Sequence, residues 1–200
     1  MASDPLILAF DTSAAHCAAA LLSGDHLLEA RAEEMGRGQA ERLMPMLQEM
    51  LARAGHDWRD LAAIGVGVGP GNFTGIRIAV SAARGLALGL GVPAVGVTGC
   101  AARLRLAAPD ALPAIPAPRD QVYLCRAARE VELLPCAQAE AAAQAEGRIL
   151  HTQADPARLA EAIARIAAEN RQDITTPPAP FYVRPADAAP PRDAPPILLD

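Results

Sequence analysis

Two hundred residues are enough for one ample domain or two small lobes, and a chain of this size buries roughly 70% of the surface its unfolded form exposes, so it needs no staples. Acidic residues number 23 and basic residues 18, a formal net charge of −5, and every basic residue is an arginine. Without lysine there is no Walker A phosphate loop and no Schiff-base or pyridoxal-phosphate chemistry, and the acidic balance argues against a basic nucleic-acid footprint over the whole surface.

Leu6 to Phe10 is a short apolar run closed by Asp11-Thr12-Ser13 and reads as a buried strand. Cys17 to Leu22 is a second strand, and after the turn Ser23-Gly24-Asp25, His26 to Ala32 returns as a third, an antiparallel meander. A helix is expected over Gln39 to Ala54, ended by Gly55. Leu43, Met44, Met46, Leu47, Met50, Leu51 and Ala54 form an arc wider than the usual ~100° stripe. It fits either burial against both a core and a partner or deep burial in one core. Pro45 should bend this helix or mark a late start.

Ile64 to Gly69 reads as a central strand, and the glycine-rich loop from Gly69 to Gly75 leads into a second helix ending near Leu90. Ser81, Gly85 and Gly89 are spaced four apart on it, a small-residue ridge that admits a close helix neighbour. Ala94 to Val97 is another short strand, so the helix is a parallel crossover. The order is β-β-β-α-β-α-β-α over about the first 105 residues. Pro109, Pro113, Pro116 and Pro118 mark a linker or lobe boundary, which divides the chain into 1–108 and 109–200. Beyond it, Val122 to Ala127 reads as a strand, Pro156 to Glu169 as a helix, and the Pro-rich tail as extended, with one strand at Phe181 to Val183.

Cys17, Cys100, Cys125 and Cys136 form no CxxC pair, and no two histidines have a zinc spacing. They read as reduced thiols of a cytoplasmic protein. The apolar start lacks the cationic flank and length of a signal peptide. Pro70, Arg77, Arg84 and Pro93 break the mild stretch from Leu61 to Cys100, so no membrane partner is expected.

A strand, a glycine-rich loop and a helix make the local architecture of an anion site. Gly69, Gly71, Asn72, Thr74 and Gly75 are the candidate nucleotide contacts, with Asp11, Thr12 and Ser13 as a second polar cluster. The dinucleotide pattern GxGxxG fails because Thr74 stands at the third glycine. The competing reading is a tight turn between a buried strand and a close-packed helix, and Asp-Thr-Ser is equally a turn.

Together ILAFDTSAAHCAAALL, QAERLMPMLQEMLARAG and IGVGVGPGNFTGIRIAVSAARGLALGLGVPAVGVT resemble the bacterial TsaB (YeaZ) family, collinearly over about residues 6–98. Val122-Tyr-Leu124 resembles the start of the family's second lobe and PFYVR, Pro180 to Arg184, its C-terminal end. The resemblance implies an α/β fold of the actin/Hsp70/sugar-kinase (ribonuclease H-like) type, with a complete first lobe and a reduced second one. It implies a non-catalytic subunit in the synthesis of threonylcarbamoyladenosine at position 37 of tRNAs that read ANN codons. The implied partners are the catalytic paralogue TsaD, the ATPase TsaE, a second copy of the chain in isolation, and tRNA through the complex. No cofactor is expected for this chain alone, with ATP or ADP open within the complex.

The catalytic paralogue carries an HxxxH metal pair after its last first-lobe strand, and here Gly99 and Arg103 stand in those places. No metal site is therefore expected, and His16, His26, His56 and His151 read as surface or structural residues. The resemblance also assigns the two helices to a four-helix interface. Leu43, Met46, Leu47, Met50, Ile78, Ser81, Ala82 and Gly85 are the expected interface residues, with Arg77 as a polar contributor. Two departures from the family pattern are Gly38-Gln39 where relatives carry His-Ser, and Pro116 where an acidic residue is usual. The alternatives are an ATP-binding phosphotransferase of the same fold, which would need a catalytic carboxylate and a second phosphate loop, and a peptidase, for which no GxSxG exists here.

Overall fold

The structure is a computed structural model and describes residues 4–174 and 176–183. Strands β1 (Leu6–Asp11), β2 (His16–Ser23) and β3 (His26–Glu34) form the expected meander, with β1–β2 and β2–β3 antiparallel. Helix α1 (Gln39–Arg53) follows, then β4 (Leu61–Gly67), α2 (Phe73–Leu90), β5 (Ala94–Val97) and α3 (Gly99–Leu106). β4 pairs in parallel with both β1 and β5, giving the sheet order β3-β2-β1-β4-β5. The order expected from sequence holds throughout this region.

β1 is buried along its whole length because both faces of the sheet are covered, which is why it reads as an unbroken apolar run. Leu6, Leu8 and Phe10 face α1 and α2, while Ile7 and Ala9 face the opposite side. That opposite side is covered by α5 (Pro156–Asn170) and α3. Although α5 lies far down the chain, it returns to the first sheet. Its approach is set by small residues: a Cβ on Gly65 would sit 2.9 Å from Ala167 Cβ and 3.0 Å from Ala9 Cβ. The abundant alanines therefore have a packing role on this face, where they bring a helix close to the sheet.

α1 runs unbroken from Gln39, so Pro45 marks no late start, and its ring sits on the exposed side. α2 is long and apolar enough to pass as a membrane span by composition, with a mean hydropathy of 1.3. In the fold, Ile76, Ala79, Val80 and Ala83 pack into the core, and Arg77, Ser81 and Arg84 are exposed.

The proline cluster corrects one expectation. Pro113 and Pro116 belong to a strand, β6 (Ala111–Ala117), and not to a linker. β9 (Ile149–His151) covers β6 only from Ala111 to Pro113, and β7 (Gln121–Leu124) only from Ala114 to Ala117. Pro116 thus has no partner on the β9 flank, where a missing N–H breaks no bond, and Pro113 sits at the handover between the two partners, its carbonyl accepting from Cys125 N–H at 2.9 Å. β8 (Glu132–Pro135) completes a second sheet of order β8-β7-β6-β9, and α4 (Cys136–Ala145) packs on it through Ala139 and Ala143. β8, α4 and β9 escape the sequence reading because they are short and, apart from the alanines of α4, carry little apolar periodicity.

The thiols give a second correction. Cys100 at the start of α3 and Cys125 just after β7 are joined in a disulfide, with Cα atoms 5.2 Å apart. Both sit with Ile115 and Tyr123 in a small cluster where the two sheets meet. Cys17 and Cys136 are free. A strand expected at Phe181 to Val183 is not formed; the segment instead makes a single ladder-like bond, Phe181 N–H to Val68 O at 2.8 Å. Arg184 lies outside the described residues.

Candidate functional site: a loop clasp and the open face of the second helix

The two polar clusters do meet. The loop after β1 and the glycine-rich loop after β4 lie side by side because β1 and β4 are parallel neighbours. Their polar groups are spent on each other. Thr12 Oγ1 donates to Gly75 O at 2.6 Å, and Asn72 N–H donates to Ser13 O at 2.6 Å. Asn72 Oδ1 accepts from Gly75 N–H at 2.9 Å, which caps the start of α2. The Gly69–Pro70 peptide is cis, and Gly69 O accepts from Gly99 N–H at 2.8 Å.

The glycines are there for this contact. A Cβ on Gly67 would run into the Asp11 carboxylate, one on Gly71 into Ser13 O, and one on Gly75 into Thr12 O. Only glycine allows the backbones to approach so closely. Thr74 is exposed and makes no bond in this clasp.

Asp11 is buried and holds three partners. Ser13 N–H and Ser13 Oγ donate to it at 3.2 and 2.9 Å, and His16 Nε2 lies 2.9 Å from its Oδ2. Gln39 Nε2 donates to Ala14 O at 3.1 Å, locking the same loop from α1. Neither residue is assigned to this cluster from sequence, where His16 reads only as a surface or structural histidine and Gln39 only as a departure from the family pattern. Their signal is only that both are polar residues at element starts, and that is too common to single out any one residue.

The two helices present a different picture from the one expected. Leu43, Met46, Leu47 and Met50 are 0–1% exposed and pack against the sheet, so they line the protein's own core and not its surface. The wide arc reflects burial in one core. Outward from α1 point Glu41, Met44, Pro45 and Gln48. On α2, Ser81 and Gly85 are exposed, Ile78 and Ala82 are half-buried, and Leu88 is 87% exposed. Among the described residues nothing lies within 4 Å of a Cβ built on Gly85 or Gly89. The small-residue ridge is therefore an open surface in the single chain. Arg77, also exposed, is engaged by the tail: its guanidinium lies 3.8 Å over the Phe73 ring, and its Nε donates to Tyr182 OH at 3.2 Å. Tyr182 in turn stacks on Phe73, with ring centroids 4.8 Å apart.

A mixed five-stranded sheet covered by helices on both faces, a second sheet beside it, and a loop clasp at the ends of β1 and β4 define the actin/Hsp70/sugar-kinase, ribonuclease H-like class. The family profile described as TsaD, tRNA N6-adenosine threonylcarbamoyltransferase, matches residues 32–187. The chain is 41% identical over 92 residues to the tRNA threonylcarbamoyladenosine biosynthesis protein TsaB of Escherichia coli K12, covering 46% of this chain and 39% of that protein. The TsaB of Haemophilus influenzae is 33% identical over 129 residues, 62% of this chain and 54% of that protein. These alignments thus span about half or less of the length of the TsaB relatives. An uncharacterized protein of Mycobacterium tuberculosis H37Rv is 31% identical over 92% of this chain and 94% of its own length. Among solved structures, YeaZ from Pseudomonas aeruginosa superposes with a TM-score of 0.68 at 27% identity, covering 90% of this chain and 100% of that one. The chain belongs to the family this profile describes and, within it, to the TsaB (YeaZ) group.

Proposed function

We propose that this chain is the non-catalytic subunit that pairs with TsaD in forming N6-threonylcarbamoyladenosine at position 37 of ANN-decoding tRNAs. Family membership supports the pathway. The observation that carries the subunit role is the open face of α2. A ridge of Ser81, Gly85 and Gly89 beside a fully presented Leu88 is a surface on which a second helix can lie close. The half-buried Ile78 and Ala82 border it, and Met44 extends it onto α1. The interface assigned from sequence thus contracts to Ile78, Ser81, Ala82 and Gly85, with Arg77, and gains Leu88 and Met44.

At the position of the paralogue's metal pair stand Gly99 and Arg103, neither suited to a divalent cation. In the clasp, Thr12 Oγ1, Ser13 N–H and Oγ, Asn72 N–H and Gly75 N–H all donate to other members of it, which fits a folding role better than a phosphate cradle. Phosphate contacts to tRNA would then come mainly from the partner, given a net charge of −5. The site of action would be cytoplasmic, where tRNA is modified.

The test is to purify the chain with its host's TsaD-like protein and assay threonylcarbamoyl transfer to tRNA by each alone and by both. Transfer by this chain alone would overturn the subunit reading. Gly85→Arg should abolish co-elution and leave the monomer folded, because a side chain there meets none of the described residues. Undiminished association of that variant would move the interface off α2.

A further inference from the structure

A cavity of about 610 Å³ lies between the two sheets, beside the clasp. Its size is that of a small-molecule site. Ile115, Leu159 and Ile163 give it an apolar wall, and Asp11, Glu34 and Arg103 line it with charge.

Arg103 is the feature the rest of the fold does not account for. It projects from the last turn of α3 and is half-buried, yet its guanidinium makes no hydrogen bond or ion pair with any described residue. Its Nη1 is fully buried and unpartnered. Other arginines withdrawn from water are paired: Arg42 with Glu33 and Glu49, and Arg126 with Glu132 and Glu146. A buried donor left without a partner is costly, and more so when it carries charge. Burial also pulls the Arg103 pKa down, with the Asp11 charge opposing it.

We propose that this cavity binds a small organic carboxylate with an apolar body, held by the Arg103 guanidinium. A planar guanidinium fork matches a carboxylate in a bidentate pair. A phosphate fits less well. Its greater charge would face Asp11 and Glu34 on the same walls. Two of the backbone donors beside it are already committed, Asn72 N–H to Ser13 O and Gly75 N–H to Asn72 Oδ1. Ile115, Leu159 and Ile163 supply the surface for the ligand's apolar part.

The experiment uses the full chain and three probes: benzoate, its neutral isostere benzamide, and inorganic phosphate. Calorimetry gives affinities, and methyl shifts of Ile115 and Ile163 locate the binding. Benzoate is expected to bind saturably and at least tenfold tighter than either other probe. Arg103→Met should erase that tenfold preference without lowering the melting temperature, since it removes an unpaired, partly desolvated charge. Arg103→Lys should weaken benzoate about threefold or more, keeping charge and losing the fork. Equal binding of benzoate and benzamide, tighter binding of phosphate, shifts away from Ile115 and Ile163, or no saturable binding would each overturn the proposal. The probe comparison on the unaltered chain stands whether or not a variant folds.

Discussion

At Gly75 a single hydrogen atom in place of a methyl group decides whether two loops can meet. The Cβ of any other residue would fall on Thr12 O, a backbone atom that cannot swing aside. Ten residues further along the same helix, Gly85 has open space at its Cβ. The two positions should therefore respond oppositely to one chemical change. Gly75→Ala is expected to destabilise by about 1–3 kcal/mol through overpacking, with the Thr12–Gly75 hydrogen bond also at risk. Gly85→Ala should stabilise the monomer by about 0.5–1 kcal/mol, the usual helix-interior difference. Urea midpoints of the two variants check this; equal shifts would mean that the close approach of the loops is not what fixes Gly75. If Gly85→Ala also weakens association with a partner while raising monomer stability, the helix has kept glycine for contact and not for folding.

At the scale of elements, α1 is bound to β3 by a ladder of charge as well as by its apolar face. Arg42 donates to Glu33 through Nε at 2.7 Å and to Glu49 through Nη1 at 2.7 Å, and Arg31 reaches Glu49 at 2.7 Å. Arg53 closes the line onto Glu29. The hydrogen bond from Arg42, then that from Arg31, holds the Glu49 carboxyl at about 2, below its usual 4.5. The Arg42 hydrogen bond likewise lowers Glu33. A carboxyl depressed in the folded state stabilises it above the unfolded pKa and loses that contribution as pH falls through the folded one. The ladder should therefore weaken between about pH 4.5 and pH 2. Glu49→Gln should therefore be less stable than the parent near neutral pH, by a margin that solvent screening keeps small, and the two stability curves should converge as pH falls through that window. Identical acid limbs for the two proteins would show that the ladder contributes nothing.

Across the whole molecule, the Cys100–Cys125 disulfide joins α3, which packs under the first sheet, to the end of β7 in the second. It closes a loop of sequence separation 25, for which chain entropy gives about 3.5 kcal/mol. Reduction should lower the unfolding free energy by about that amount, read from denaturant midpoints with and without reductant. Thiol labelling of the native oxidised protein should modify Cys136. It should spare Cys17, whose thiol burial pushes up to about 11. Labelling of Cys100 or Cys125 before reduction would sink the disulfide.

The sequence by itself determined the first sheet and its helices, because each element there carries its own periodic apolar signal and each boundary its own glycine, proline or cap. The Asp11 and Gly75 loops were legible as two polar clusters at strand ends, and the parallel pairing of β1 with β4 brought them together. Packing decided the rest. A residue such as Met46 reads the same from sequence whether it faces a core or a partner, since periodicity gives the face and not what covers it. Pro113 and Pro116 look like breaks until the staggered cover of β9 and β7 places one at the handover between partners and leaves the other free on the β9 flank. The return of α5, the bond between Cys100 and Cys125 and the unpartnered Arg103 all depend on contacts between residues distant along the chain. Such contacts leave no local mark in sequence, so only the tertiary structure could decide them.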